Sequence, residues 1–250
     1  MPTPKEPQNP GRSLIRLSII VYSSVLAVTA LAIVTWYVYQ PPEQIPGMIY
    51  IPAGTFLSGP DKTPVKLKAF YIDATEVTNL QYSDYCRATG CAVSGAPNLP
   101  VVDLTVDQAR RYARWAHKRL PSALEWERAA RGLNGAPYPW GDAPDAKFAN
   151  VADNPALEKH ELMAVRAFPG YPSFQMLGNA SEMVDGDAKP GLQETAKFAS
   201  LLKPALKEDE PWVFIRGGSY LEPLISVFEQ RVIPARYSAT DIGFRCAKDP

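Results

Sequence analysis

Arg216, Ser219, Tyr220 and Glu222 crowd the stretch W-V-F-I-R-G-G-S-Y-L-E at 212–222, bringing a cation, two hydroxyls and a carboxylate into seven residues. A carboxylate near a serine can serve as a general base. The chain has two histidines, His117 and His160, both far from this stretch in sequence, so no serine–histidine–carboxylate relay is completed locally. Ahead of these residues, Trp212 to Ile215 reads as a short buried strand. The pair Gly217-Gly218 lets the backbone turn sharply or approach another group with no Cβ in the way. A rigid strand ending in such a loop is a common way to present side chains, here an exposed Ser219-Tyr220.

Two other groups of residues could do chemistry. Asn179 and Glu182, in G-N-A-S-E, offer oxygen ligands that suit a hard cation such as calcium, although N-x-x-E alone does not specify a metal. Cys86 and Cys91 are separated by R-A-T-G and have no nearby histidine, which argues against zinc. Outside the cytoplasm such a pair reads as a local disulfide. Cys246 is left over and reads as a buried free thiol.

The elements that must position these residues start with M-I-Y-I-P-A-G-T-F-L-S-G at 48–59, read as a β-hairpin around Ala53-Gly54, and V-K-L-K-A-F-Y-I at 65–72, read as a third strand. Three helices follow, each announced by a capping box: Thr78 with Gln81, Thr105 with Gln108, Ser122 with Glu125. The second helix has a small-residue face (Val106, Ala109, Ala113, Ala116) and a basic row (Arg110, Arg114, Lys118), read as a solvated face in preference to an anion- or lipid-facing patch. The third helix should end near Gly132. From Gly132 to Met183 the chain is nearly all loop. After Asp185 a Lys-, Glu- and Ala-rich segment reads as a surface insertion with one short helix, Leu192 to Leu202.

The 26 basic and 26 acidic residues balance, so no bulk electrostatic pull toward nucleic acid is implied and none is expected as a partner. From Leu17 to Tyr39 no residue is charged, long enough for a helix to cross a bilayer. Trp36, Tyr37 and Tyr39 mark its far end, and Lys5, Arg12 and Arg16 precede it, which places the N-terminus in the cytoplasm and the remainder outside. No small-residue cleavage site follows the run, so it reads as an uncleaved anchor. The organisation is then a tail at 1–13, a transmembrane helix at 14–39, a proline-containing stalk at 40–47 and an exported domain at 48–250.

That domain resembles the formylglycine-generating enzyme (sulfatase-modifying factor) family. The resemblance rests on I-P-A-G-T-F (51–56), F-Y-I-D-A-T-E-V-T-N-L-Q-Y (70–82), K-R-L-P-S-A-L-E-W-E-R-A-A-R-G (118–132), Y-P-W-G-D (138–142), A-N-V (149–151), G-N-A-S-E (178–182), R-G-G-S-Y (216–220) and I-G-F-R-C-A (242–247), all in family order. It implies an α+β, C-type-lectin-like fold with little regular secondary structure and bound calcium. The matching calcium positions are Asn179 and Glu182 for one site, Asn150 and the Val151 carbonyl for another.

Active members bind copper through two thiolates after the glycine pair and oxidise a sulfatase cysteine. At those positions this chain has Glu222 and Val227, and neither replaces a soft thiolate for Cu(I). Iron-dependent relatives need several histidines, and His117 and His160 do not make that site. Both tryptophans of the family's G-N-x-W-E-W are replaced, by Ser181 and Met183, and Ala113 stands where many relatives pair a cysteine with Cys246. The resemblance therefore implies a catalytically degenerate member without copper or iron: an accessory or scaffolding subunit beside a membrane protein. The alternatives are altered chemistry at Arg216, Ser219, Tyr220 and Glu222, or formylglycine generation itself.

Overall fold

Hydroxyl caps set the three central helices. In the structure, a computed structural model that describes residues 29–30, 42–167 and 175–250, these are α1 (Asn79–Thr89), α2 (Val106–Trp115) and α3 (Ala123–Arg131). Thr78, Thr105 and Ser122 each accept from the backbone N–H three residues on, and Gln81, Gln108 and Glu125 each reach back to the cap N–H. α1 stops at Gly90 in the left-handed region (φ 78) and α3 at Gly132 (φ 70). Val106, Ala109 and Ala113 are buried, so the small-residue stripe is the packed face of α2.

The expected hairpin around Ala53-Gly54 is not formed. β1 (Met48–Ile51) pairs antiparallel with β4 (Phe70–Asp73), whereas β2 (Gly54–Ser58) pairs with β3 (Thr63–Leu67), so Ala53-Gly54 joins two different sheets. The single strand expected over 65–72 divides at Lys68-Ala69 for the same reason. All four residues of β4 are buried, while Thr63, Pro64 and Lys66 of β3 face solvent, and one continuous strand cannot serve both environments.

β5 (Ser181–Met183), β6 (Trp212–Arg216), β7 (Gln230–Pro234) and β8 (Ile242–Phe244) form a four-stranded sheet in the order β7-β6-β5-β8, with β5 and β8 parallel. β9 (Ala247–Lys248) returns to β4. Between α3 and β5 the described chain is loop apart from a 3₁₀ turn at Ala146–Phe148. The insertion helix α4 (Leu192–Leu201) is held by Phe198, its one buried residue, set edge-on to Trp212 and Tyr237.

Cys86 and Cys91 are disulfide-bonded across the end of α1, and Cys246 is a buried free thiol. Burial pushes the Cys246 thiol well above its ordinary range, with Asp73 adding to the effect, so it is not a reactive thiolate. Gln44–Pro250 form one compact unit. The expected membrane span at 14–39 lies outside the described residues except for Thr29 and Ala30, which are helical. Among the described residues no helix is long and apolar enough to cross a membrane.

Candidate functional site

The turn after β6 is built around Gly217. Its φ is 89°, and a Cβ there would lie 2.7 Å from the Met176 carbonyl oxygen and 3.1 Å from the Trp126 ring, so only glycine fits. Its carbonyl accepts from Gly178 N–H, which locks the turn to the G-N-A-S-E segment.

Around the turn the side chains of Arg216, Ser219 and Glu222 separate. Ser219, expected at the surface, is fully buried. Its hydroxyl donates to Asp241 Oδ2 at 2.7 Å and accepts from Leu221 N–H at 3.3 Å. Tyr220 is half-buried, and its N–H donates to the Asn179 carbonyl. Arg216 points into the core, donating to the Val227 carbonyl at 3.0 Å, to Glu127 Oε2 at 3.3 Å and to Gln230 Oε1 at 3.0 Å. Glu222 pairs with Arg231 of β7, and Arg231 also donates to Ser181 Oγ at 2.8 Å. The partners of Ser219 and Glu222 are therefore Asp241 and Arg231, neither of which the sequence reading named.

This arrangement does not assemble a nucleophile and its base. Burial pushes the Glu222 carboxyl up from its ordinary value and the Asp241 charge adds to this, while Arg231 and Lys197 oppose it. The hydroxyl of Ser219 is turned to Asp241 and not to Glu222. At the second family position, Val227 is fully buried in the cluster around Trp126 and Phe70. Its N–H donates to the Pro137 carbonyl. An alkyl group is packed there as part of the core.

The residues expected to hold calcium divide in the same way. Both oxygens of Glu182 are taken by Arg245, at 2.6 and 2.8 Å, and Oε2 also accepts from Trp126 Nε1 at 2.7 Å. Asn179 Oδ1 accepts from Asn150 Nδ2 at 3.0 Å and from Met163 N–H at 2.9 Å. A dication at Glu182 would have to sit beside the buried Arg245 guanidinium, so Asn179 and Glu182 do not fit one. Asn150 differs: among the described residues its Oδ1 is buried with no partner, and the adjacent Val151 carbonyl accepts only the Asn154 N–H at 3.2 Å. Oxygens of this type are the ligands a hard cation takes, and a cation here would need further oxygens to complete its shell. Among the described residues no three His, Cys, Asp or Glu side chains gather as a metal-binding group.

Glu76 is a buried carboxyl held far from its ordinary range. It is fully buried, Asn179 Nδ2 donates to its Oε1 at 2.9 Å, and its Oε2 has no partner among the described residues. Burial raises its pKa to about 7, with Arg245 pulling it down and Glu182 pushing it up. It lies in F-Y-I-D-A-T-E-V-T-N, where the residue types alone gave no sign of its burial.

The model of the sulfatase-modifying factor enzyme 1-like domain matches residues 37–250. A formylglycine-generating enzyme of Thermomonospora curvata is 29% identical, over 84% of this chain and 96% of its own length. The inactive C-alpha-formylglycine-generating enzyme 2 of Mus musculus is 25% identical, over 82% of this chain and 86% of its own. The structure of PvdO from Pseudomonas aeruginosa superposes with a TM-score of 0.64, covering 83% of this chain and all of that one at 22% identity, which shows a shared fold. The chain belongs to the sulfatase-modifying factor enzyme 1-like domain family.

Proposed function

We propose that this protein is a non-catalytic binding or scaffolding domain, an accessory subunit of a membrane-associated complex. One observation carries the reading: the two positions that follow the glycine pair are committed to structure, Glu222 to Arg231 and Val227 to the core around Trp126. No thiolate is available there for Cu(I). An enzyme of altered chemistry would need Arg216, Ser219, Tyr220 and Glu222 to meet at one point, and the side chains of Arg216, Ser219 and Glu222 go to different partners. That the family includes a relative named as inactive agrees with this reading.

Leu17–Tyr39 would anchor the chain with its N-terminus in the cytoplasm and the domain in the periplasm or another extracytoplasmic space. The Cys86–Cys91 disulfide supports an oxidising compartment. Calcium, if bound, would be held by Asn150 Oδ1 and the Val151 carbonyl and would tie down the long loop that carries them.

The test is to offer purified full-length protein Cu(I) and a cysteine-containing sulfatase peptide. Neither stoichiometric copper uptake nor conversion of the cysteine is expected, and both together would overturn the reading. Gentle detergent extraction, followed by identification of what co-purifies, would then name the complex.

A further inference from the structure

We propose that a cavity beside α2 binds a phosphate-class oxyanion, anchored by Arg114. The cavity has a volume of about 380 Å³ and is lined by Arg110, Ala113, Arg114, Arg119, Leu120 and Asp185, three guanidiniums to one carboxylate. Two of the three already have partners. Arg110 donates to Asp185 Oδ1 from Nε at 3.1 Å and from Nη2 at 2.6 Å, while its Nη1 stands 3.7 Å from Asp107. Arg119 grips both oxygens of Glu125 at 2.7 Å and also reaches Asp249. Arg114 has no ion pair among the described residues, so its whole donor fork is free.

An exposed arginine is ordinary. This one shares a concave, partly apolar site with two others, and the walls are fixed. Asp185 N–H donates to the Pro121 carbonyl at 2.7 Å, and Arg119 and Ala247 exchange both backbone hydrogen bonds, at 2.8 and 2.7 Å. Ala113 and Leu120 are buried and form an apolar floor.

The planar fork of Arg114 can take two oxygens of a phosphate-class anion, and the Arg110 and Arg119 guanidiniums lie in the same lining. The C-terminal end of α2 opposes an anion, but its dipole effect is smaller than that of two charge-assisted hydrogen bonds. The oxyanion could come from free phosphate or from a phospholipid headgroup, and the two share this chemistry.

The experiment titrates the full-length protein in detergent with inorganic phosphate at constant ionic strength and follows binding by calorimetry, with chloride as the control. Saturable binding by phosphate alone is expected. Arg114→Ala should weaken it about tenfold or more, the loss of one charge-assisted contact, and Arg114→Lys should fall between. Arg111→Ala, on the same helix but outside the cavity, should bind like the unmodified protein. Equal responses to phosphate and chloride, or unchanged affinity in Arg114→Ala, would overturn the proposal. Competition by soluble glycerophosphoethanolamine assigns the site to a headgroup, and phosphate binding without that competition assigns it to the free anion; either result upholds the site.

Discussion

Arg245 holds Glu182 through two hydrogen bonds in the core, Nε to Oε2 at 2.6 Å and Nη2 to Oε1 at 2.8 Å, with both side chains essentially inaccessible to water. Arg245 also donates to the carbonyls of Asp73 and Gln175, so it ties β8 to β4 and to the segment before β5. Removing one member of such a pair leaves an uncompensated buried charge. Arg245→Met should therefore cost about 3–5 kcal/mol in urea denaturation. The double variant Arg245→Met/Glu182→Met should cost less than the sum of the two single changes, and strict additivity would show that the pair is not coupled.

The same ion pair decides where calcium can act. Because Arg245 supplies the positive charge at Glu182, any calcium-induced rise in melting temperature should survive Glu182→Gln. It should disappear in Asn150→Ala, which removes the unpartnered buried Oδ1. The reverse pattern in differential scanning calorimetry would place the cation at Glu182.

Glu222 is the residue on which an enzymatic reading would depend. Its pair with Arg231 leaves the two side chains 27% and 40% exposed, so solvent screening limits the contribution to about 1 kcal/mol or less. Glu222→Ala should lower stability by no more than that in urea denaturation. If it abolished turnover of any substrate without altering the unfolding midpoint, catalysis at this position would have to be accepted.

What the sequence revealed was local. Each capping box needs only four residues, and all three were legible; so were the Cys86–Cys91 disulfide and the apolar strand β6. What it concealed was pairing at a distance. The runs at 48–58 looked like a hairpin because both are apolar and lie close together, yet their partners are fixed by burial of β4 and by solvent on one side of β3. Gly217-Gly218 signalled a sharp turn but not the direction in which it aims Ser219. That depends on Asp241, 22 residues away, and the partner of Glu222 depends on the register that sets Arg231 opposite Ile215. The basic row Arg110, Arg114, Lys118 was legible as a row, whereas its division into paired Arg110 and Lys118 and an Arg114 with no ion pair among the described residues required the fold.

Glu125 gives a pH signature that separates charge from capping. Its carboxylate closes the Ser122 capping box and takes both bonds from Arg119. Burial alone would raise its pKa, but the Arg119 hydrogen bonds, the Ser122 N–H and the Arg119 charge outweigh that and hold it below its ordinary value of 4.5. A carboxyl with a depressed folded-state pKa binds its proton less readily folded than unfolded. The stability it contributes is therefore fully present above about pH 4.5 and is lost as pH falls through the folded-state value. Glutamine can still close the box, as Gln81 and Gln108 do at α1 and α2. Glu125→Gln thus removes the titrating charge and keeps the cap. Between roughly pH 5 and pH 3 the unmodified protein should lose stability more steeply than Glu125→Gln, and the two urea-denaturation curves should converge at the acid end. Parallel curves over that range would mean that Arg119 does not depress the Glu125 pKa, and that the pair matters only through the hydrogen bonds of the cap.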